Sequence, residues 1–290
     1  MDTGFCAWLF AISIATSTLG GALGMAGGIF IVPVLTIFGK VNIHTAVAVS
    51  LVSIIASSSS SASQFLKGGL TNIRVAIVLE TATTLGAVTG VLLTGILPVQ
   101  SLFLLFALVL FVSAWQMRVK PHGVIAATDI GARDWGRTLS LHSSYPDQPL
   151  GRDVFYHVGR VPLGLTLMYG AGFISALLGI GSGVLKIPAM DMALRLPIKV
   201  ASATSNFMIG VTAAASGVAY LVRGDIDPLM AGPVALGSVL GALIGARLLT
   251  LISGEKLRLF FITVLILLGA QMLLSALGID LVAAVKKHDF

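Results

Sequence analysis

Charged side chains are scarce. Asp, Glu, Lys and Arg together make up 10% of the chain, against roughly 25% in a domain whose surface faces water. A soluble globular protein is excluded at that density. Cysteine is nearly absent, Cys6 being the only one, so an internal disulfide, a thiol relay and a cysteine-ligated metal are excluded within the chain. No GxxxxGK[ST] loop occurs, which removes direct ATP drive from this polypeptide. No histidine spacing suits a metal either, and no cofactor is expected. The apolar runs lack the alternation of polar and apolar residues that a transmembrane β-barrel strand needs.

What the chain has in abundance is hydrophobic length. Of its 290 residues, 56% are hydrophobic, and the mean hydropathy is +0.99. Apolar runs of about 20 residues, the length that spans a hydrocarbon core of about 30 Å, recur at roughly 4–38, 44–66, 72–96, 99–117, 161–194, 198–222, 226–251 and 256–278. In lipid only helices satisfy their own backbone polar groups, apart from closed barrels. The expected fold is therefore an all-α polytopic membrane protein. The net charge of +6 lies mainly in loops between the runs, as the positive-inside bias produces, and no nucleic-acid partner is expected. The N-terminus has no basic residues ahead of its apolar run, and that run is too long for a signal peptide.

The chain reads as a duplication. An offset of 155 places Gly24, Gly28 and Pro33 on Gly179, Gly183 and Pro188, and Ala46, Ala48 and Ser50 on Ala201, Ala203 and Ser205. It also places Gly69, Gly86 and Gly90 on Gly224, Gly241 and Gly245, and Gln116 and Met117 on Gln271 and Met272. Two homologous four-segment halves follow, 1–117 and 161–290, separated by a polar connector, 118–160. The connector holds His122, His142 and His157 and reads as solvated and cytoplasmic. Duplicated halves are a common build of secondary transporters.

The first segment of each half is too long for one straight helix and is interrupted by glycines, then a proline. The expectation is a helix, an unwound middle and a restarted short helix. If these segments cross once, there are eight spans with both termini inside. If they are re-entrant, the halves are inverted with both termini outside. Either way the connector is cytoplasmic.

A restarting helix turns unpaired N–H groups and its positive dipole end into the break, which suits an anion. The candidate substrate-binding residues in the breaks are Gly24, Gly27, Gly28, Gly181, Ser182, Gly183 and Lys186, the last standing where the first half has Ile31. Ser50, Thr204, Ser205 and Asn206, early in the second and sixth segments, offer hydroxyls and an amide to anion oxygens. The competing role for the glycines is close helix packing; for Lys186 it is snorkelling to the interface or pairing with Asp191; for the hydroxyls and the amide it is bonding back to their own helix carbonyls or across to a neighbouring helix. The serines at 57–61 point all round a helix and are assigned to packing. Glu80 and Arg247 are further intramembrane ionisable residues, either of which could carry protons or pair structurally; their positions in the segments do not choose between the two roles.

The two breaks, the Ala-x-Ala-x-Ser stretches after them and the paired glycines Gly86/Gly90 and Gly241/Gly245 resemble the TauE/SafE family of sulfite and organosulfonate exporters, from about Gly20 to Met272. The resemblance implies a secondary carrier for sulfite, sulfoacetate or a related organosulfonate in a bacterial-type cytoplasmic (inner) membrane. The implied partners are the small anion and the bilayer, and a homo-oligomer is allowed. A negative-inside potential would favour anion exit by about 2.3 kcal/mol per charge per 100 mV. Uptake uses the same fold. An intramembrane serine hydrolase built on Ser182 lacks a base, since His44 sits only at a segment edge, and a purely structural subunit gains nothing from unwound backbone in lipid. The chain is read as a carrier and not an enzyme.

Overall fold

The computed structural model describes residues 3–25, 27–41, 43–92, 99–119, 135–178, 183–224 and 226–277. They are mostly helical. The first apolar run forms α1 (Thr3–Leu23) and α2 (Gly28–Ile37), followed by α3 (Ile43–Lys67), α4 (Ile73–Leu92) and α5 (Val99–Val119). After a short helix α6 (Trp135–Thr138) come strands β1 (Ser143–Asp147) and β2 (Arg152–Tyr156). Then follow α7 (Val161–Leu178), α8 (Gly183–Ala189), a π-helical turn at Met190–Leu194, α9 (Ile198–Arg223), α10 (Pro228–Leu251) and α11 (Gly254–Ala276).

Among the described residues, three helices are long and apolar enough to cross a bilayer: Gly4–Leu23, Ile73–Gly90 and Pro228–Leu251. Val161–Ser175 is a shorter apolar helix. These are the helices of the two most extensive packings, α1 on α10 and α4 on α7. The further large contacts are α5 with α11 and α3 with both α9 and α10.

Small residues set these crossings. Gly237, Gly241 and Gly245 recur every fourth residue and so form one ridge of α10, lying on the backbone carbonyls of Phe10, Ile14 and Thr18, a matching ridge of α1. A Cβ at any of the three would run into that backbone. Where lipid tails are as apolar as leucine, such close backbone approach supplies the packing energy. Leu229, Leu236, Leu240 and Ile244 of α10 are exposed, an outward apolar face suited to lipid. The α4–α7 crossing repeats the device, with Gly86 against the Tyr169 carbonyl and Gly172 against that of Thr83.

The all-helical expectation needs one amendment. Within the connector, β1 and β2 pair antiparallel, with Tyr145 opposite Val154 and Asp147 opposite Arg152. Gly151, at φ +62°, closes the turn that Pro149 helps to start. Tyr145, Asp147, Tyr156 and Val158 are buried, so this part of the connector is docked onto the helices. A Tyr at one position in each strand gives the hairpin an apolar face, which its overall polarity conceals.

Candidate functional site

The chain turns out of α1 at Gly24. Its φ of +76° lies in the left-handed region that glycine occupies without strain, and the Met25 N–H donates to the Gly20 carbonyl at 2.9 Å, closing the helix end in a Schellman pattern. Gly24 rests directly on the backbone of Ser202 in α9. Any side chain at 24 would have to displace that helix. Three residues later Gly27 caps α2, its carbonyl accepting from the N–H groups of Phe30 and Ile31 at 3.1 and 3.2 Å. A Cβ on Gly27 would stand 2.5 Å from the Ser17 hydroxyl, and one on Gly28 would strike Ile54 and lie 3.5 Å from the Ser50 carbonyl.

The second glycine-rich stretch arrives at the same place. A Cβ on Gly183, the first residue of α8, would lie 3.2 Å from the Met25 Cα and would strike Ile209 of α9. The turn after α1 and the start of α8 are thus in contact, both against α9. Gly181 and Ser182 lie outside the described residues.

The wall of α9 is polar here. Ser202, Ser205, Asn206 and Ile209 follow at i, i+3, i+4 and i+7, one face of a helix. Ser202, Thr204, Ser205 and Asn206 are all fully buried. Asn206 donates from Nδ2 to Ser61 Oγ at 2.9 Å, and its backbone carbonyl accepts from Ser58 Oγ at 2.6 Å. The hydroxyls of Ser202 and Ser205, the Asn206 Oδ1 and the Ser17 hydroxyl on α1 are buried with no hydrogen-bond partner. Buried polar atoms are normally paired, and leaving one unsatisfied costs about 1–3 kcal/mol. These atoms lie on α1 and α9, where the turn after α1 and the start of α8 come against α9.

Not every candidate joins this cluster. Thr204 turns to another neighbour: its hydroxyl accepts from the Asn72 N–H at 3.1 Å. Asn72 caps α4 by accepting from the Val75 N–H at 3.1 Å and donates to the Leu141 carbonyl and the Tyr156 hydroxyl of the connector. Ser50 is buried on α3, beside Gly28. Among the serines at 57–61, Ser57 and Ser61 bond back to their own helix while Ser58 crosses to α9.

Lys186 does not pair with Asp191. Its Nζ donates to Glu80 Oε2 of α4 at 2.9 Å, and Thr212 Oγ1 of α9 lies at 3.5 Å. Asp191 instead accepts from Arg258 Nη2 at 2.6 Å. Residues five apart on a helix lie about 140° apart around its axis, so with Lys186 toward α4, Asp191, in the π-helical turn that follows Pro188, lies toward α11. The partnership had a signal in the sequence. Under the offset of 155, Lys186 falls on Ile31 and Glu80 on Ala235, so the two charges are a matched pair of departures from the repeat. Ser17 and Ser202, which border the cluster, carry no such mark.

A groove of about 310 Å³ between α1 and α2, lined by Trp8, Ile12, Ala15, Thr16, Val34 and Phe38, is apolar and offers an anion nothing. Among the described residues no group of His, Cys, Asp and Glu is placed to hold a metal.

Comparison with known proteins agrees with this architecture. The family model described as "Sulfite exporter TauE/SafE" matches residues 9–272. The chain is 24% identical over 274 residues to the "Probable membrane transporter protein YunE" of Bacillus subtilis (strain 168), covering 91% of this chain and 96% of that protein. It is 25% identical over 227 residues to the "Probable membrane transporter protein YdhB" of the same organism, covering 78% and 83%. No solved structure matches.

Proposed function

The chain belongs to the sulfite exporter TauE/SafE family, and on that premise we propose that it carries a small sulfur oxyanion out of the cytoplasm across the cytoplasmic (inner) membrane. The chain is an integral membrane transporter. The proposed cargo is sulfite, sulfoacetate or a related organosulfonate, and the proposed site is the meeting point of residues 24–28, the start of α8 and the Ser202–Asn206 face of α9.

The observation that carries the reading is the set of buried, unpartnered oxygens there. Serine hydroxyls can donate to a sulfonate or sulfite oxygen, and the Asn206 Oδ1 can accept from an anion that carries a proton. Hydrogen bonds to a charged group are worth about 1.5–3 kcal/mol each, enough to offset the dehydration of a small anion when several converge. Lys186 supplies positive charge one helical turn from Gly183.

The exchange of helices supports a duplicated build, with repeats 1–117 and 161–290 flanking the connector 118–160. Offset by 155, α1 corresponds to α7 and α10 to α4, so the α1–α10 and α7–α4 packings are images of one another, while α3 with α9 and α5 with α11 pair across the axis. On this reading the two breaks, related by the repeat, line one shared site, as in other duplicated carriers.

The test is flux of labelled sulfite and sulfoacetate in proteoliposomes under imposed pH and voltage gradients. Saturable flux is expected, lowered by Ser205→Ala and Asn206→Ala. Flux absent from folded protein, or indifferent to both substitutions, overturns the reading.

A further inference from the structure

Three buried ion pairs differ in how completely they are tied. Lys199 donates to Asp147 Oδ1 at 3.0 Å while the other Asp147 oxygen accepts from the Tyr145 hydroxyl. Arg258 holds Asp191 with one nitrogen and the Met117 carbonyl with another. These are braced struts. Lys186 donates to Glu80 Oε2 at 2.9 Å and, more loosely, to Thr212 Oγ1 at 3.5 Å, and Glu80 Oε1 is buried with no partner. The lysine is wholly enclosed, and the glutamate side chain keeps 13% of its surface exposed.

The pair also sits beside the proposed site. Lys186 follows Gly183 by three residues and shares its face of α8, and Thr212, at 3.5 Å from Nζ, follows Ser205 by two turns of α9. A lysine stem has four flexible carbons, so its ammonium can redirect along the α8–α9 seam toward Ser205. If it does, Glu80 is left as a lone carboxylate in the membrane, a costly state. A proton on Glu80 removes that cost.

We propose that Glu80 is the proton-binding group of this carrier: a proton on Glu80 releases Lys186 to the anion, so that anion and proton bind together. The inference rests on the carrier reading above. The proton comes from water and adds to the Glu80 carboxylate, the lysine stays an ammonium, and no other bond changes. Of the ionisable groups on the neighbouring elements, Asp191 is engaged with Arg258 and the Tyr169 hydroxyl of α7 shares a hydrogen bond with Thr89. A monoanion carried with one proton crosses without net charge, so membrane voltage no longer sets its direction; the outward anion gradient drives exit, and a proton gradient directed inward opposes it.

The experiment measures the Kd of methanesulfonate, which has no proton of its own to titrate in this range, by calorimetry on the purified full chain at a series of pH values. Wild-type binding should weaken by up to about tenfold per pH unit as pH rises through the coupled range, the limit for one linked proton. Glu80→Gln should bind with no pH dependence, as tightly as the wild type does at the acid end. Calorimetry in buffers of different ionisation enthalpy should find about one proton taken up per anion bound in the wild type and none in Glu80→Gln. If Glu80→Gln does not fold, Glu80→Asp should keep the slope with a displaced midpoint; an undisplaced midpoint overturns the inference. Binding that is intact but free of pH dependence in the wild type, or equally pH-dependent in Glu80→Gln, also overturns it and leaves the carrier reading standing. Failure of the wild type to bind methanesulfonate, sulfite and sulfoacetate alike sinks both.

Discussion

Lys199, in the first turn of α9, donates to Asp147 at the end of β1 across 3.0 Å, and both side chains are almost wholly out of water. The helix that bears the candidate site is thereby fastened at its start to the connector. Asn72 makes a second fastening, bonding Thr204 of the same helix on one side and Leu141 and Tyr156 on the other. The connector thus holds the ends of α4 and α9 in fixed relation.

Asp147→Asn should lower the thermal midpoint of the purified protein in detergent, because it leaves the Lys199 charge buried without a counter-charge. Breaking one side of a buried pair costs roughly 3–5 kcal/mol. The double variant Asp147→Leu with Lys199→Met should recover most of the loss. Equal midpoints for the single variant and the wild type would show that the pair holds nothing.

Alkali should loosen the same contact. Burial, with the Asp147 charge adding to it, pushes the Tyr145 hydroxyl well above the usual tyrosine range, and burial pushes Tyr156 up as well. The folded chain keeps protons that the unfolded chain releases near pH 10, so their contribution is whole below about pH 10 and is lost as pH climbs above it. Melting followed from about pH 8 to 11 should show that decline. Tyr145→Phe should start about 1 kcal/mol lower at neutral pH, having lost its hydrogen bond, and fall less steeply in alkali.

Gly24→Ala should both destabilise the protein and abolish flux. The left-handed backbone alone costs a residue with a Cβ about 1–2 kcal/mol, and the added carbon meets the Ser202 backbone. Gly232→Ala is the control: nothing lies within 4 Å of its would-be Cβ, and helix propensity should raise stability by about 0.5–1 kcal/mol. Thermal melts of both variants, alongside flux, check the pair.

Ser205→Ala separates binding from packing. Its hydroxyl is buried and unpartnered, so removing it should leave the melting temperature unchanged or higher, while anion affinity falls by about tenfold or more, the worth of a hydrogen bond to a charged group. Ser58→Ala breaks a bond to the Asn206 carbonyl and should lower the melting temperature instead. Paired melts and flux assays distinguish the two patterns.

Much of the helical layout was legible because lipid imposes a strong pattern. Hydrophobic length marks each run, and glycine marks where the first changes course, at Gly24. The partners of the charges were missed, although the offset marks Lys186 and Glu80 as paired departures from the repeat. Asp191 is five residues from Lys186 and Glu80 more than a hundred, so proximity along the chain favoured the wrong acid. Thr204 shows the same limit, since its neighbours Ser205 and Asn206 face the cluster while it caps a contact with Asn72. The connector looked solvated because two tyrosines in a polar stretch do not announce a docked hairpin.

The seating of α1 on α10 has a consequence for biosynthesis. The carbonyl ridge of Phe10, Ile14 and Thr18 is made well before the glycines that cover it, Gly237, Gly241 and Gly245, are translated. Until then α1 waits in the bilayer as an unclaimed helix, open to any small-residue ridge that drifts past. A message cut short before α10 would release a product whose α1 has no native seat, an evident substrate for membrane quality-control proteolysis.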